Sequence, residues 1–279
     1  VALYFITQAD RGYVADDHAL IAALAKLGVM PIERPWTTGL SGITAADMLV
    51  IRAIWDYHLR PLEFVAWLDG VRRIGCRMIN PEALVRWNYQ KTYLRELAQK
   101  GIECPETYFY RSPSEFAGNN PQLAHAEYVL KPVISASAHR TTRVAAADAA
   151  KAAQDFTDSE FMVQEFLPEI ADGEWSLICI GQEFTHAVKK VPTSGEFRSQ
   201  RDFGAKQKAG TPPQSAITQG KRILNLLPEP AAYARIDFVM RGDTPLLIEL
   251  ELIEPELFLA DDEVAARRLA QIIAHANNS

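Results

Sequence analysis

The chain has 279 residues, 48% hydrophobic and 23% charged, the balance of a globular protein with two or three subdomains around a sizeable core. A net charge of −6 gives no basic footprint and argues against nucleic acid as the main partner, although a few local lysines suffice for a nucleotide. Cys76, Cys104 and Cys179 form no CxxC pair, which excludes a zinc ribbon or a disulfide framework, and no apolar run reaches the roughly 20 residues of a membrane span.

The first residues, Val1-Ala2-Leu3-Tyr4-Phe5-Ile6, read as a buried strand with no basic leader, so a soluble cytoplasmic protein is expected by elimination. Asp16-Asp17 starts a helix over 18–27 that stops at Gly28. Strands follow at 29–32 and 47–51, then a helix at 62–74 opened by Pro61, then a short strand at 78–79. Strands alternating with helices imply a small parallel sheet, whose ligands sit at the carboxyl ends of the strands. Arg52, Asp56 and Tyr57 fall at such an end. Arg52 there suits a substrate carboxylate; equally, Trp55 and Tyr57 pack beneath the loop while Arg52 and Asp56 pair on the surface.

From residue 82 the character changes. One helical region is expected over 83–101, carrying Asn88 and Lys91, and a lone helical lysine is by default solvated. A strand at 108–111 and a polar stretch at 112–125 come next. The strand at 128–133 is apolar except for Lys131, where an unpaired ammonium is costly, so a bound phosphate explains it better. An alanine-rich helix at 145–155 and a strand at 161–168 follow. Residues 175–180 and 183–188 form a hairpin about Gly181-Gln182; 194–211 is a polar loop, and 217–227 and 262–276 are helical.

The most informative stretch is a second hairpin, 233–240 and 246–253, around the turn formers 241–245. Alternation puts Ala234, Ile236, Phe238 and Met240 on one face with Ile248, Leu250 and Leu252, leaving Arg235, Asp237, Glu249 and Glu251 on the other. A turn centred on Asp243 sets Asp237 opposite Glu249 and Arg235 opposite Glu251, with facing Cβ atoms about 5 Å apart. Facing carboxylates are unfavourable without a cation between them, and all-oxygen ligands favour Mg²⁺ or Mn²⁺ over zinc. A solvated face with an Arg–Glu pair is the other reading, and both stand on pattern alone.

Asn88 to Lys91, the Lys131-Pro132 strand, Gln164-Glu165-Phe166-Leu167, Gly173-Glu174, Phe197-Arg198, Arg235-x-Asp237 and Glu249-x-Glu251 together resemble the ATP-grasp ligases of the glutathione synthetase/RimK type. The match covers roughly the last two-thirds of the chain. Within that superfamily, Arg52-x-x-Trp55-Asp56-Tyr57 and the run from Glu249 to Pro255 resemble the O-ureido-serine cyclo-ligases. The resemblance implies an α/β (α+β) ATP-grasp fold: a small parallel α/β N-terminal domain at 1–86 on the substrate side, a lid subdomain at 87–163, and a C-terminal subdomain with the metal site at 164–279.

It further implies that ATP meets Lys91, Lys131, Gln164, Glu165, Phe166, Leu167 and Glu174. Asp237, Glu249 and Glu251 would hold Mg²⁺ or Mn²⁺, Arg198 and Arg235 would offset charge at the transferring phosphoryl group, and Arg52, Asp56 and Tyr57 would meet an amino-acid-like substrate. Of the two lysines, Lys131 is expected to be the more buried. The implied activity is ATP-dependent carboxylate–amine ligation through an acyl-phosphate, with ring closure within one molecule as one form. A nucleotide-binding module without turnover and an ATP-grasp kinase are the alternatives, and assembly into a homodimer is left open. Two departures stand out: residues 135–142 lack the glycines of the family's phosphate loop, and Glu251 occupies a position where the family commonly has Asn. No general base for the amine is legible.

Overall fold

The computed structural model describes residues 1–119 and 123–278. Strands β1 (Leu3–Thr7), β2 (Ile32–Pro35), β3 (Met48–Ile51) and β4 (Arg77–Ile79) form a parallel sheet in the order β2-β1-β3-β4. Its central strands are apolar on both sides and are covered on both. Ile6, Leu49 and Ile51 meet Phe64, Trp67, Leu68 and Val71 of α2 (Pro61–Ile74), which proline opens and a left-handed Gly75 closes. Leu3, Phe5, Met48 and Val50 meet α1 (Ala15–Ala25) and the C-terminal helix α8 (Glu263–Asn278). The strand expected at 29–32 begins only at Ile32. Val29 is spent on closing α1, its N–H donating to the Leu24 carbonyl at 3.1 Å past a left-handed Gly28.

The second sheet is antiparallel: β5 (Thr107–Tyr110), β6 (Glu127–Pro132), β7 (Thr142–Ala145) and β8 (Phe161–Glu165), in the order β5-β8-β6-β7. Tyr110, Tyr128, Leu130, Phe161 and Val163 pack beneath α5 (Pro113–Asn119) and α6 (Ala149–Ala152). Alternation along β6 sends Val129 and Lys131 to the opposite face. The alanine-rich helix expected at 145–155 shrinks to α6 between two 3-10 turns, because Thr142–Ala145 pair with β6. The expected polar stretch at 112–125 contains α5, and its residues 120–122 lie outside the described residues. The expected strand at 161–168 ends at Glu165.

The third sheet is also antiparallel, with β9 (Glu174–Ile180), β10 (Glu183–Val191), β11 (Lys206–Ala209), β12 (Tyr233–Arg241) and β13 (Thr244–Glu251) in the order β11-β10-β9-β12-β13. Leu177, Ala234, Ile236, Phe238, Leu247 and Leu250 pack under α3 (Glu82–Asn88), α4 (Tyr93–Gln99) and α7 (Gln214–Leu226). The polar loop expected at 194–211 supplies β11, and β10 runs three residues past its expected end at 188.

The single helix expected over 83–101 is two. Its ladder breaks where the Lys91 N–H donates instead to the Val133 carbonyl at 2.9 Å, after β6. The β12–β13 hairpin turns at Gly242-Asp243 with Arg241 facing Thr244, half a residue off the expected centre. A β-bulge then absorbs the difference, so Asp237 does face Glu249 and Arg235 does face Glu251. The bulge turns Ile248 out of the helix-covered face, against expectation, to pack with Phe166, Leu167, Ile170 and Val239. No helix of the described residues is long and apolar enough to cross a membrane.

Candidate active site

A cavity of about 590 Å³ is walled by the second and third sheets and by the carboxyl end of the first. Glu249 and Glu251 on its floor and Asp237 beneath them each bring one oxygen within 4.8 Å of the others. Their hairpin is fastened along its free edge. The Asn88 side chain donates to the Leu250 carbonyl and accepts from the Leu252 N–H, both at 2.9 Å, and the Leu250 N–H donates to the Tyr93 hydroxyl at 3.0 Å. The same helix junction delivers Lys91, whose ammonium donates to Glu249 at 2.5 Å.

The three carboxylates are answered by more than Arg235. Arg235 donates to both Asp237 oxygens at 3.1 Å and also to Glu251. Lys190 lies 3.5 Å from Asp237 and pairs with Glu174, while the Ser176 hydroxyl donates to Asp237 at 2.6 Å. Asp237, 2% exposed, is sealed beneath these partners and does not itself line the cavity. Burial opposes the charge on Glu249, but Lys91 and Lys131 outweigh it and hold its carboxyl below the usual range. Burial wins at Glu251, where Arg235 pulls down and the charges of Glu249 and Asp237 add to the rise. Three hard oxygen donors without nitrogen or sulfur fit Mg²⁺ or Mn²⁺.

Lys131 also lines this cavity and has no carboxylate among the described residues within ion-pair distance; burial lowers its pKa to about 8. Lys91 is 8% exposed and paired, the reverse of the expected ranking of the two lysines. At the far wall Phe166 and Leu167 pack on Ile248, and the Arg143 guanidinium covers the Phe166 ring at 3.8 Å. The Glu165 and Phe166 amides are already spent on the carbonyls of Glu106 and Glu127, at 2.8 and 3.1 Å. Gln164 donates to the Thr107 hydroxyl, and the Glu165 carboxylate is engaged by Arg241. Arg198 reaches the cavity with its guanidinium held by Glu196 and lying 3.6 Å from the Phe203 ring centre.

At the carboxyl end of the parallel sheet, Arg52 is 3% exposed; its Nε donates to Asp17 at 2.8 Å, and its buried Nη1 has no partner among the described residues. Tyr57 lines the cavity as well. Asp56 does not: it accepts from the Trp36 indole at 2.9 Å, so its expected place beside the substrate is corrected. Sequence reading missed Lys190, which sits past the expected strand end, and Glu254, whose loop had no assigned element. Alternation carried two residues further along β10 would have found the lysine.

Residues 2–80 match the N-terminal domain family of D-cycloserine synthetase DcsG, and residues 106–233 match the ATP-grasp domain family of prokaryotic glutathione synthetase. The cycloserine biosynthesis protein DcsG of Streptomyces lavendulae is 28% identical over 280 residues, which cover 91% of each chain. The crystal structure of D-cycloserine synthetase DcsG superposes with a TM-score of 0.84 at 23% identity, over 99% of this chain and 100% of that one. The ATP-grasp ligase PsnB, solved with a phosphomimetic variant of its minimal precursor, Mg and ADP, shares the fold at a TM-score of 0.66 and 14% identity, over 99% and 98% of the two chains.

Proposed function

Because the chain belongs to the ATP-grasp ligases of the glutathione synthetase/RimK type, we propose that it activates the carboxylate of a small amino-acid-like molecule with ATP and closes it onto a nitrogen of the same molecule. It is an ATP-dependent carbon–nitrogen ligase. The observation that carries the activation step is the convergence of Asp237, Glu249 and Glu251 at the cavity floor beside Lys91, with Asp237 beneath it.

ATP would lie between the two antiparallel sheets, its base against Phe166, Leu167 and Ile248, with the Leu167 N–H meeting the base edge. Glu174 would act through Lys190, which it pairs. Lys91 and Lys131 would meet the phosphates as point charges, Lys91 exchanging Glu249 for a phosphate oxygen. Asp237, Glu249 and Glu251 would hold Mg²⁺, which supplies positive charge against the transferring phosphoryl group. Arg235 and Arg198 would offset the charge that remains.

The orphaned Arg52 Nη1 supports a substrate carboxylate at that end of the cavity, with Tyr57 beside it. The carboxylate attacks the γ-phosphorus, ADP leaves, and the nitrogen displaces phosphate from the acyl-phosphate. Positioning and charge compensation account for this chemistry, so no nucleophilic side chain is needed. In this division residues 1–86 form the substrate side, 87–163 the lid and 164–279 the metal side.

The test is incubation with ATP, Mg²⁺ and a panel of amino acids and derivatives that includes O-ureidoserine, with hydroxylamine present. Hydroxamate together with ADP is expected. ADP with a phosphorylated hydroxyl and no hydroxamate would make the protein a kinase. Binding of ATP with no ADP across the panel would make it a binding module.

A further inference from the structure

Resting on the ligase reading, we propose that Glu254 takes the proton from the attacking nitrogen as the amide forms. The loop after β13 carries Glu254 to the cavity wall, three residues beyond Glu251. It is 6% exposed, and no donor among the described residues bonds its carboxyl. The neighbouring acids on this wall are answered. Glu249 has Lys91, Glu174 has Lys190, Glu256 has Arg201 at 3.2 Å, and Asp16 accepts from the Leu257 N–H at 2.7 Å.

A carboxyl turned into the cavity without a protein donor is left to take its donor from whatever occupies the cavity. A substrate nitrogen carrying protons is such a donor, whereas a phosphate or a carboxylate would be repelled. The groups that act electrostatically on Glu254 are Glu251, Lys91, Glu249 and Arg235, which surround the proposed phosphoryl-transfer floor. Glu254 in turn acts on Tyr57 and Tyr233, and the Tyr233 ring stacks with Arg52 at 5.8 Å. It lines the same cavity as Arg52, Tyr57, Lys91 and Glu251, where an acyl-phosphate and its nitrogen would meet. Burial and the Glu251 charge raise its pKa well above the ordinary carboxylate value, which strengthens it as a proton acceptor.

In the proposed step the nitrogen lone pair forms the C–N bond and the acyl C–O bond to phosphate breaks. Inorganic phosphate leaves with that electron pair. The N–H proton passes to the Glu254 carboxylate, and solvent removes it after product release.

The experiment compares wild type with Glu254→Gln, using O-ureidoserine or the panel compound that best supports ADP release, with ATP and Mg²⁺. Hydroxylamine is neutral at assay pH and attacks the acyl-phosphate without a base. In the variant, amide formation should fall about 10²- to 10³-fold, while ADP release with hydroxylamine stays within about threefold of wild type. The acid limb of the kcat/KM profile should disappear, and Glu254→Asp should restore part of the amide rate and serve if the Gln variant does not fold.

Equal loss of amide and hydroxamate, with nucleotide-analogue binding intact, would assign Glu254 to an earlier step and overturn the role. Unchanged amide formation would overturn it too. Absence of hydroxamate with wild type would sink the ligase reading and this role with it.

Discussion

At the scale of single residues, the two cavity lysines differ in what the protein has already done for them. Lys91 is paired with Glu249, while Lys131 is half-buried with no carboxylate among the described residues in ion-pair range. Their replacement should therefore move stability in opposite directions. Lys91→Met leaves Glu249 short of its counter-charge and should cost about 3 kcal/mol. Lys131→Met removes a poorly solvated ammonium and should stabilise the empty protein by about 1–2 kcal/mol. Both should weaken a non-hydrolysable ATP analogue by about tenfold or more. Urea titration and calorimetry measure the two quantities, and a shared sign in stability would refute the assignment.

Proton balance at Lys131 gives a second prediction. Its pKa is about 8 in the folded protein, against about 10.4 for an unperturbed lysine. Between these values the unfolded chain binds the extra proton, so its contribution to stability rises with pH across that window, and the penalty is full below about pH 8. Phosphate oxygens favour the charged form. Analogue binding at about pH 9 should therefore take up a proton, read from binding heats in buffers of different ionisation enthalpy. Equal heats after buffer correction would place Lys131 away from the phosphates.

At the scale of elements, the loop between β6 and β7 does with ordinary residues what the resemblance leads one to expect of glycine. Ser137, Ala138 and Arg140 hold φ of +51°, +54° and +51°. Non-glycine residues resist that region, so neighbours must hold them there. Ile134 and Ala136 pack on the core of the parallel sheet, the His139 ring lies 5.0 Å from that of His58, and Arg140 donates to Asp158 at 2.9 Å. Ser135, Ser137 and Thr141 line the cavity. Ala138→Gly relieves strain but frees the unfolded chain, so stability should change by less than about 1 kcal/mol. Dissociation of a fluorescent ATP analogue should nevertheless speed up, because the loop's rigidity goes with the strain. A stopped-flow chase with an unchanged off-rate would show that the loop is no lid.

At the scale of the molecule, the parallel sheet is tied to the third sheet by buried polar fasteners and by a helix from the far end of the chain. Asn80 is fully buried. Its amide donates to the Tyr233 and Leu252 carbonyls at 2.9 and 2.8 Å, and its oxygen accepts from the Ala232 N–H at 2.7 Å. The Tyr233 hydroxyl donates toward the Ile51 and Ile253 carbonyls at 3.0 Å, and α8 packs its apolar face over Leu3, Phe5, Ile178 and Ile180 together. The two ends of the cavity are thus held in one frame. Asn80→Ala strands several buried backbone groups and should cost about 3–5 kcal/mol, measured as a drop in the urea midpoint. A loss under 1 kcal/mol would show that water replaces the amide.

The sequence by itself determined which side chains share a face wherever local rules govern. Alternation and a turn-rich segment were enough for Asp237 opposite Glu249, Arg235 opposite Glu251, and Lys131 on the cavity side of β6. These follow from a two-residue period and a turn a few residues away. Only the tertiary structure decided that Lys91 leaves its helix for the cavity, since the bond that breaks the helix comes from Val133, 42 residues further on. It also decided that Ile248 turns over at a bulge, that Asp56 is taken by Trp36, and that Lys190 joins the acidic floor. Each of those outcomes is a competition between a local preference and a partner distant in the chain, and the burial of an unmet polar group settles it.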